Sequence, residues 1–573
     1  MQFIDFEVFA HDWGVIIIDS NTKKETEFRN DRKGFVDYYE KHKKDIWVGF
    51  NIRHYDQFIA KAIICDFDPK EVNDYIIVKR QTGWSFSQLF WKIPFYLFDV
   101  KMKQSESLKQ LEGFMGHDIQ ESNVPFDLDR KLTKAEFDDV MEYCRHDVRE
   151  TIAVFLERYE EFESHFNIVK TFDLKMRHFS KTQAQLVAEI LGASKVKRDD
   201  EFDIQYPETA NIEKYTDMLT FHKENKNYDA ELKLDIAGVR HVVAWGGLHG
   251  ARKKYHAKGI FINIDVESYY PAVMIEYDLL SRNIAEPKKY RKIRDKRLVL
   301  KRNKDKQQKP YKILLNGTFG ATKDPFNKLF DPRQANNICI TGMVLIVDLI
   351  EKLEPYCEVV QSNTDGVLIR IDSMDMFETI DDVCYEWEER TRMKLDFDFF
   401  REVHQKDVNN YVIIPNGPLY DEDGKPRWKA KGAYVKKLSN IDNDLPIVNE
   451  AIVQYFAKGT QVEDTIYGSD ELIKFQKVVK ISSKFQHAIW GKERRHEKVF
   501  RVFASTSKDD RQLRKAKDVD GKIAYHKISY TPDRCFIDNS DITSKTVPAK
   551  LDREWYVALA KKRIRDYEGK KVK

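Results

Sequence analysis

Several carboxylates in this 573-residue chain stand at spacings that could hold a divalent cation. In Phe3-Ile4-Asp5-Phe6-Glu7-Val8-Phe9 acidic and apolar residues alternate, so a strand would project Asp5 and Glu7 on one side. Two carboxylates side by side repel unless a cation lies between them; a solvent-facing strand edge is the other reading. Asp56 follows an apolar run and a polar turn that contains Asn51, with Phe58, Ile59, Ala62 and Ile63 at helix spacing beyond it. It therefore stands near a strand-to-helix junction, where Asp also serves as a simple cap. Tyr143 and Asp147, four apart in a segment that reads as a helix, share a face. In the other half, Gly259–Asp265 reads as a strand with Ile260, Ile262 and Ile264 on one face and Asp265 at its end on the other. Around Asn363-Thr364-Asp365-Gly366, two apolar runs flank a polar turn, which predicts a hairpin.

Taken together, the first three pieces resemble the three motifs of the DEDD proofreading nucleases: Asp-x-Glu, Asn-x-x-x-Tyr/Phe-Asp and Tyr-x-x-x-Asp, in that order. The resemblance covers about the first 165 residues. It implies that Asp5, Glu7, Asp56 and Asp147 hold two divalent ions through hard oxygen ligands. It also implies that Tyr143 orients the attacking water and that Asn51 contacts a frayed 3′ end.

The second half is similar to the B-family DNA polymerases. Asp265-Val-Glu-Ser268-Tyr269-Tyr270-Pro271 looks like motif A, Asp-x-x-Ser-Leu-Tyr-Pro, with Tyr269 in place of Leu. By resemblance Asp265 and the Val266 carbonyl bind metal, and Tyr270 packs under the nucleotide sugar. Lys312-Ile-Leu-Leu-Asn316-Gly-Thr-Phe319-Gly320 looks like motif B, with Phe319 where the family has Tyr. By resemblance Lys312 neutralises the incoming triphosphate, Asn316 is a nucleotide-binding residue on the same helix, Phe319 stacks near the nascent pair, and Arg297 and Lys301 are further triphosphate candidates. Asn363-Thr364-Asp365-Gly366 resembles motif C, Asp-Thr-Asp-Ser, with Asn363 and Gly366 as departures and Asp365 as the direct metal ligand. Tyr411, Lys429 and Lys431 match the segments that grip primer DNA, and Ala244-Trp245-Gly246-Gly247 partly matches the joint between nuclease and polymerase. The implied cofactor is Mg²⁺ or Mn²⁺, two ions per site; the implied partners are primer–template DNA and dNTPs. Only 47 residues separate Asp265 from Lys312, and 49 separate Asn316 from Asp365. These intervals are too short for the insertions of protein-primed phage polymerases, which implies priming from an ordinary nucleic-acid 3′ end.

Positioning these groups takes an α/β and α+β multidomain chain. The expected order is an RNase H-like exonuclease domain (1–190), a connecting segment (191–257), and a right-hand polymerase. The latter divides into palm (258–285), fingers (286–330), palm again (331–440), and a thumb and C-terminal region (441–573). A composition of 42% hydrophobic and 33% charged residues suits folded domains with large cores. The net charge of +3 says little about partners, but thirteen Lys/Arg against two Asp between Pro287 and Lys312 suit a phosphate backbone. So does the basic tail from Lys561 to Lys573. The six cysteines form no CxxC pair, so neither a zinc site nor a disulfide framework is indicated. The apolar stretch near Gly342–Ile350 is too short to span a membrane, and with an apparent strand at the start no signal peptide is expected. A cytoplasmic location is expected, that of a host if the source is a phage.

Overall fold

The computed structural model describes residues 1–519 and 522–568. The last five residues of the basic tail, 569–573, lie outside the described residues. The chain divides into two compact units. Unit 1 comprises Met1–Ser180, Leu438–Ile447 and Ser469–Tyr556; unit 2 comprises Lys181–Lys437, Val448–Gly468 and Val557–Lys573. Residues 441–573, expected as one terminal region, are thus shared between both units. No helix among the described residues is long and apolar enough to cross a membrane.

Unit 1 contains β1 (Gln2–Val8), β2 (Trp13–Asp19), β3 (Glu25–Arg29), α1 (Arg32–His42), β4 (Ile46–Gly49), α2 (Asp56–Cys65), α3 (Pro69–Ile77), β5 (Tyr96–Asp99), α4 (Leu108–Met115), α5 (Lys134–Glu157) and α6 (Tyr159–Thr171). The strands form a sheet in the order β3-β2-β1-β4-β5. β1 pairs antiparallel with β2 and parallel with β4, so it is central rather than an edge. Its alternation sorts the two faces. Ile4, Phe6 and Val8 join Phe35, Trp47 and Phe58 in the core. On the other face Phe3 meets Phe155 of α5 edge to face, 5.2 Å between ring centroids. α5 starts at a capping box in which Thr133 and Glu136 satisfy each other's backbone N–H groups.

One core position is a lysine. Lys61 on α2 is 2% exposed, and its ammonium lies 3.9 Å over the Trp84 ring. Burial lowers its pKa from 10.5 to about 7. Between those values the unfolded chain binds more protons than the folded one, so stability rises with pH across that window. Lys61→Met is expected to stabilise the protein at neutral pH, with the gain shrinking as pH climbs from about 7 to 10.5. Urea unfolding at both ends of the window checks this; a pH-independent gain would refute it.

The later segments of unit 1 build a small sheet from Lys477–Lys480, Val499–Ala504 and Cys535–Ile537. Arg501 in its central strand is fully buried. Its guanidinium donates to the carbonyls of Gly113 (3.2 Å), His117 (2.7 Å) and Ser540 (2.7 Å). Burial lowers its pKa to about 10. Each orphaned acceptor forfeits about 1–3 kcal/mol, so Arg501→Ala should cost roughly 3 kcal/mol or more in chemical unfolding. A loss below about 1 kcal/mol would show that water replaces the guanidinium.

Unit 2 contains α7 (Gln183–Ile190), α8 (Asp217–Glu224), β6 (Glu231–Ile236), β7 (Val239–Ala244), β8 (Gly247–Ala251), β9 (Tyr255–Val266), α9 (Tyr269–Glu276), α10 (Pro287–Arg302), α11 (Gln308–Lys323), α12 (Pro332–Leu353), β10 (Glu358–Ser362), β11 (Gly366–Ile371), α13 (Met376–Thr391), β12 (Leu395–Asp407), β13 (Asn410–Pro415) and β14 (Lys429–Lys431). Its sheet has nine strands in the order β14-β13-β12-β9-β11-β10-β8-β7-β6. β9 lies between β11 and β12, antiparallel to both. α12, which holds the apolar stretch near Gly342–Ile350, is buried on nearly every side and is a core helix. Gly246 lies in the tight turn between β7 and β8, and Gly247 opens β8. Gly247 has a φ of +148°, a conformation open to glycine and strained for other residues.

Candidate functional site

In unit 1, β1 and α5 bring the acidic residues of the first constellation together. Glu7, Asp56 and Asp147 are buried and Asp5 is half-buried. Cys144, one turn before Asp147, donates its S–H to the Asp5 main-chain oxygen at 3.3 Å, which fixes α5 against β1. Asp56 is the first residue of α2, and its Oδ1 is buried without a hydrogen-bond partner.

The carboxylates disturb one another. Burial, then the charges of Asp56, Glu7 and Asp147, pushes Asp5 well above the usual carboxylate range. Burial and Asp147 do the same to Glu7. Burial pushes Asp56 up to about 8. Asp147 rises to about 6, through burial opposed by Lys109.

Lys109 on α4 was not anticipated. It pairs with Asp147 and, at 3.1 Å, with Glu112, and its ammonium lies 4.5 Å over the Tyr143 ring. One lysine among so many acids leaves negative charge in excess, with hard oxygen donors and an orphaned Asp56 oxygen. That donor set fits Mg²⁺ or Mn²⁺.

Asp99 was also missed. Its carboxylate accepts from the backbone N–H groups of Asn51 (2.9 Å), Arg53 (3.1 Å) and Lys101 (2.9 Å). It thereby pins the turn that holds Asn51 in a left-handed conformation (φ +68°) and delivers the chain to Asp56.

In unit 2 the second constellation forms at the ends of β9 and β11. Asp265 lies opposite Gly366, and Val266 N–H donates to the Asp365 carbonyl at 2.9 Å. Burial chiefly, and Asp365 further, raises the Asp265 pKa, while Lys429 lowers it. Lys429 Nζ is 3.8 Å from Asp265 Oδ2 and 2.7 Å from Asp398 Oδ2. Asn263 Nδ2 donates to Asp265 as well. Asp265, Asn363, Asp365, Tyr411, Lys429 and Lys431 all line one cleft of about 500 Å³. The two aspartates lining the open cleft offer hard oxygens that fit the same ions.

The motif C departures have local consequences. Asn363 N–H donates to the Gly366 carbonyl at 2.9 Å and closes the turn. A Cβ built on Gly366 would overlap Asp265 Oδ1 and the Ile264 carbonyl, so this close strand pairing needs glycine.

The remaining expected residues are placed as follows. Tyr270 on α9 and Phe319 on α11 are in contact, with ring centroids 4.3 Å apart. Tyr269, where motif A has Leu, is buried and donates its hydroxyl to the Gly342 carbonyl at 2.6 Å. Lys312 and Asn316 are exposed on α11 and do not line the cleft. Arg297 donates to Ser268 Oγ at 2.7 Å, and Lys301 pairs with Glu267. Both cations therefore bind the turn just after Asp265 and Val266. Other charges of the basic run are also engaged within the unit: Arg291 and Arg294 pair with Glu276.

Neither a sequence-family profile nor a curated protein sequence matches the chain. Among solved structures, it is similar to that of the family B DNA polymerase from the hyperthermophilic archaeon Pyrobaculum calidifontis. That alignment covers 100% of this chain and 78% of the other, at 12% sequence identity and a TM-score of 0.42.

Proposed function

We propose that the chain is a DNA-directed DNA polymerase of the B family with a 3′–5′ proofreading exonuclease, extending a primer 3′ end from dNTPs. The observation that carries this reading is the meeting of Asp265 and Asp365 at adjoining strand ends, in one cleft with Tyr411, Lys429 and Lys431. Six motif-like segments in nuclease-then-polymerase order support it. So does the gathering of Asp5, Glu7, Asp56 and Asp147 in unit 1.

Bound Mg²⁺ or Mn²⁺ would supply a more acidic nucleophilic hydroxyl and neutralise charge on the leaving oxygen in both sites. In the cleft, Asp265, Asp365 and the Val266 carbonyl would hold those ions. Lys431 and Tyr411, opposite each other on β14 and β13, offer a cation and a ring to the primer backbone and its terminal nucleotide. Lys312 and Asn316 present an exposed helix face to an incoming triphosphate. In unit 1, Asp5, Glu7, Asp56 and Asp147 would hold the ions, and Tyr143 would orient the water that attacks the terminal phosphodiester. Lys109 would hold Asp147 in place and offset charge on the scissile phosphate.

The test is a labelled primer–template incubated with Mg²⁺, with and without dNTPs. Extension with dNTPs and shortening without them is the expected result. Shortening alone would reduce the protein to a nuclease whose second unit only binds DNA, and neither product would leave a non-catalytic scaffold. Tyr270, in contact with Phe319, is placed in this reading beneath the sugar of the incoming nucleotide. Tyr270→Ala is expected to raise ribonucleotide incorporation at least tenfold, the scale of about 1.4 kcal/mol of discrimination. Unchanged discrimination would remove that role.

A further inference from the structure

A second set of metal-type donors lies on the sheet of unit 2. His256 on β9 and His404 on β12 are directly opposite each other in the ladder, and their rings stack with centroids 4.3 Å apart. Glu402 is two residues before His404 and so shares its face. Its Oε1 lies 2.9 Å from His256 Nε2 and 3.2 Å from His404 Nε2, while its Oε2 faces Lys258 at 3.7 Å. Both oxygens of Glu402 are therefore committed. Glu568, the last residue of the helix Arg553–Glu568, places an oxygen 3.9 Å from His404 Nδ1. One nitrogen from each imidazole and one Glu568 oxygen lie within 4.8 Å of one another.

His404 makes this more than a cluster. It is 4% exposed, its Nε2 has only the Glu402 oxygen at 3.2 Å, and its Nδ1 has no hydrogen-bond partner. Buried imidazoles ordinarily find partners. Phe456 covers the ring, with centroids 4.3 Å apart, so bulk water is a poor substitute.

We propose that His256, His404 and Glu568 bind a divalent ion of the zinc class, with Glu402 as the positioning carboxylate that orients both imidazoles. Two nitrogens and one oxygen favour Zn²⁺ or Co²⁺ over the all-oxygen demand of Mg²⁺. A carboxylate on the far side of metal-ligating imidazoles sets their tautomer and ring orientation. The bound ion ties the end of the Arg553–Glu568 helix to β9 and β12. It needs no cysteine.

The test uses the full chain, stripped with chelator and kept in excess Mg²⁺ so that the all-carboxylate sites are filled. Zn²⁺ titration is expected to show one tight site, and Co²⁺ to give the visible d–d absorption of a nitrogen-ligated ion. His404→Gln and His256→Gln should lose both signals. Glu402→Gln should weaken binding about 10–100-fold. His256 has a side chain 34% exposed, so its substitution spares the fold even if His404→Gln does not. Zn²⁺ binding in His256→Gln equal to wild type, or a wild-type chain without the Co²⁺ absorption, would overturn the site and leave Glu402 clamping a pair of metal-free histidines.

Discussion

Asp365→Ala is expected to lower primer extension about 10³-fold while leaving 3′-end degradation at the wild-type rate. Loss of one metal-holding carboxylate at a phosphoryl-transfer centre removes several kcal/mol of transition-state stabilisation, and about 4 kcal/mol is a factor of 10³. The substitution is a clean one. Asp365 is exposed, so alanine leaves no cavity and no orphaned buried group. The two bonds that shape the turn, Val266 N–H to Asp365 C=O and Asn363 N–H to Gly366 C=O, are main chain to main chain and survive. Degradation serves as an internal control for folding, because its carboxylates belong to unit 1. Extension at the wild-type rate would place the metal-binding carboxylates elsewhere and remove the basis of the proposed polymerase site.

Much of the local structure that presents these groups is readable from sequence because it is written in short periods. Asp5 and Glu7 alternate with apolar residues over one strand, and the isoleucines before Asp265 do the same. The polar turn at Asn363–Gly366 sits between apolar runs, and a hairpin is found there. What sequence hides is what depends on distant partners. Lys109 meets Asp147 across 38 residues, and Asp99 meets the backbone at Asn51 across 48. Both are buried, yet neither stands in a sequence pattern that distinguishes it from a surface charge. Arg501 reaches the carbonyl of Gly113 across 388 positions, and pairing at that range leaves no local signature. That is why the affiliation of Ser469–Tyr556 with unit 1 could not be read from composition. The histidines at 256 and 404 were likewise silent, since only the β9–β12 register sets them opposite each other. Arg297 and Lys301 show the converse. Their positive charge was legible, but the nearby Ser268 and Glu267 that engage them were not.

Asp5→Ala is expected to produce the mirror image: 3′-end degradation falls about 10³-fold and primer extension stays. Asp5 feels the charges of Asp56, Glu7 and Asp147 together, and the proposed reading makes it a ligand of the ions held there. A loss of activity here must be separated from a loss of fold, and the electrostatics allow it. Without divalent ions these buried carboxylates oppose one another, and burial already holds Asp5 well above its ordinary pKa. For a carboxyl raised in the folded state, stability is present below its unfolded pKa and is lost as pH rises through the folded one. Removing Asp5 removes its part of that loss, and the Cys144 bond to its main-chain oxygen remains. In chelator at neutral pH the variant should therefore melt no lower than wild type, and added Mg²⁺ or Mn²⁺ should raise its Tm less. Each ~1 kcal/mol of lost metal stabilisation corresponds to about 2–4 °C for a unit of this size. A variant that melts lower in chelator and regains degradation on cooling would assign Asp5 to the fold instead of the metals.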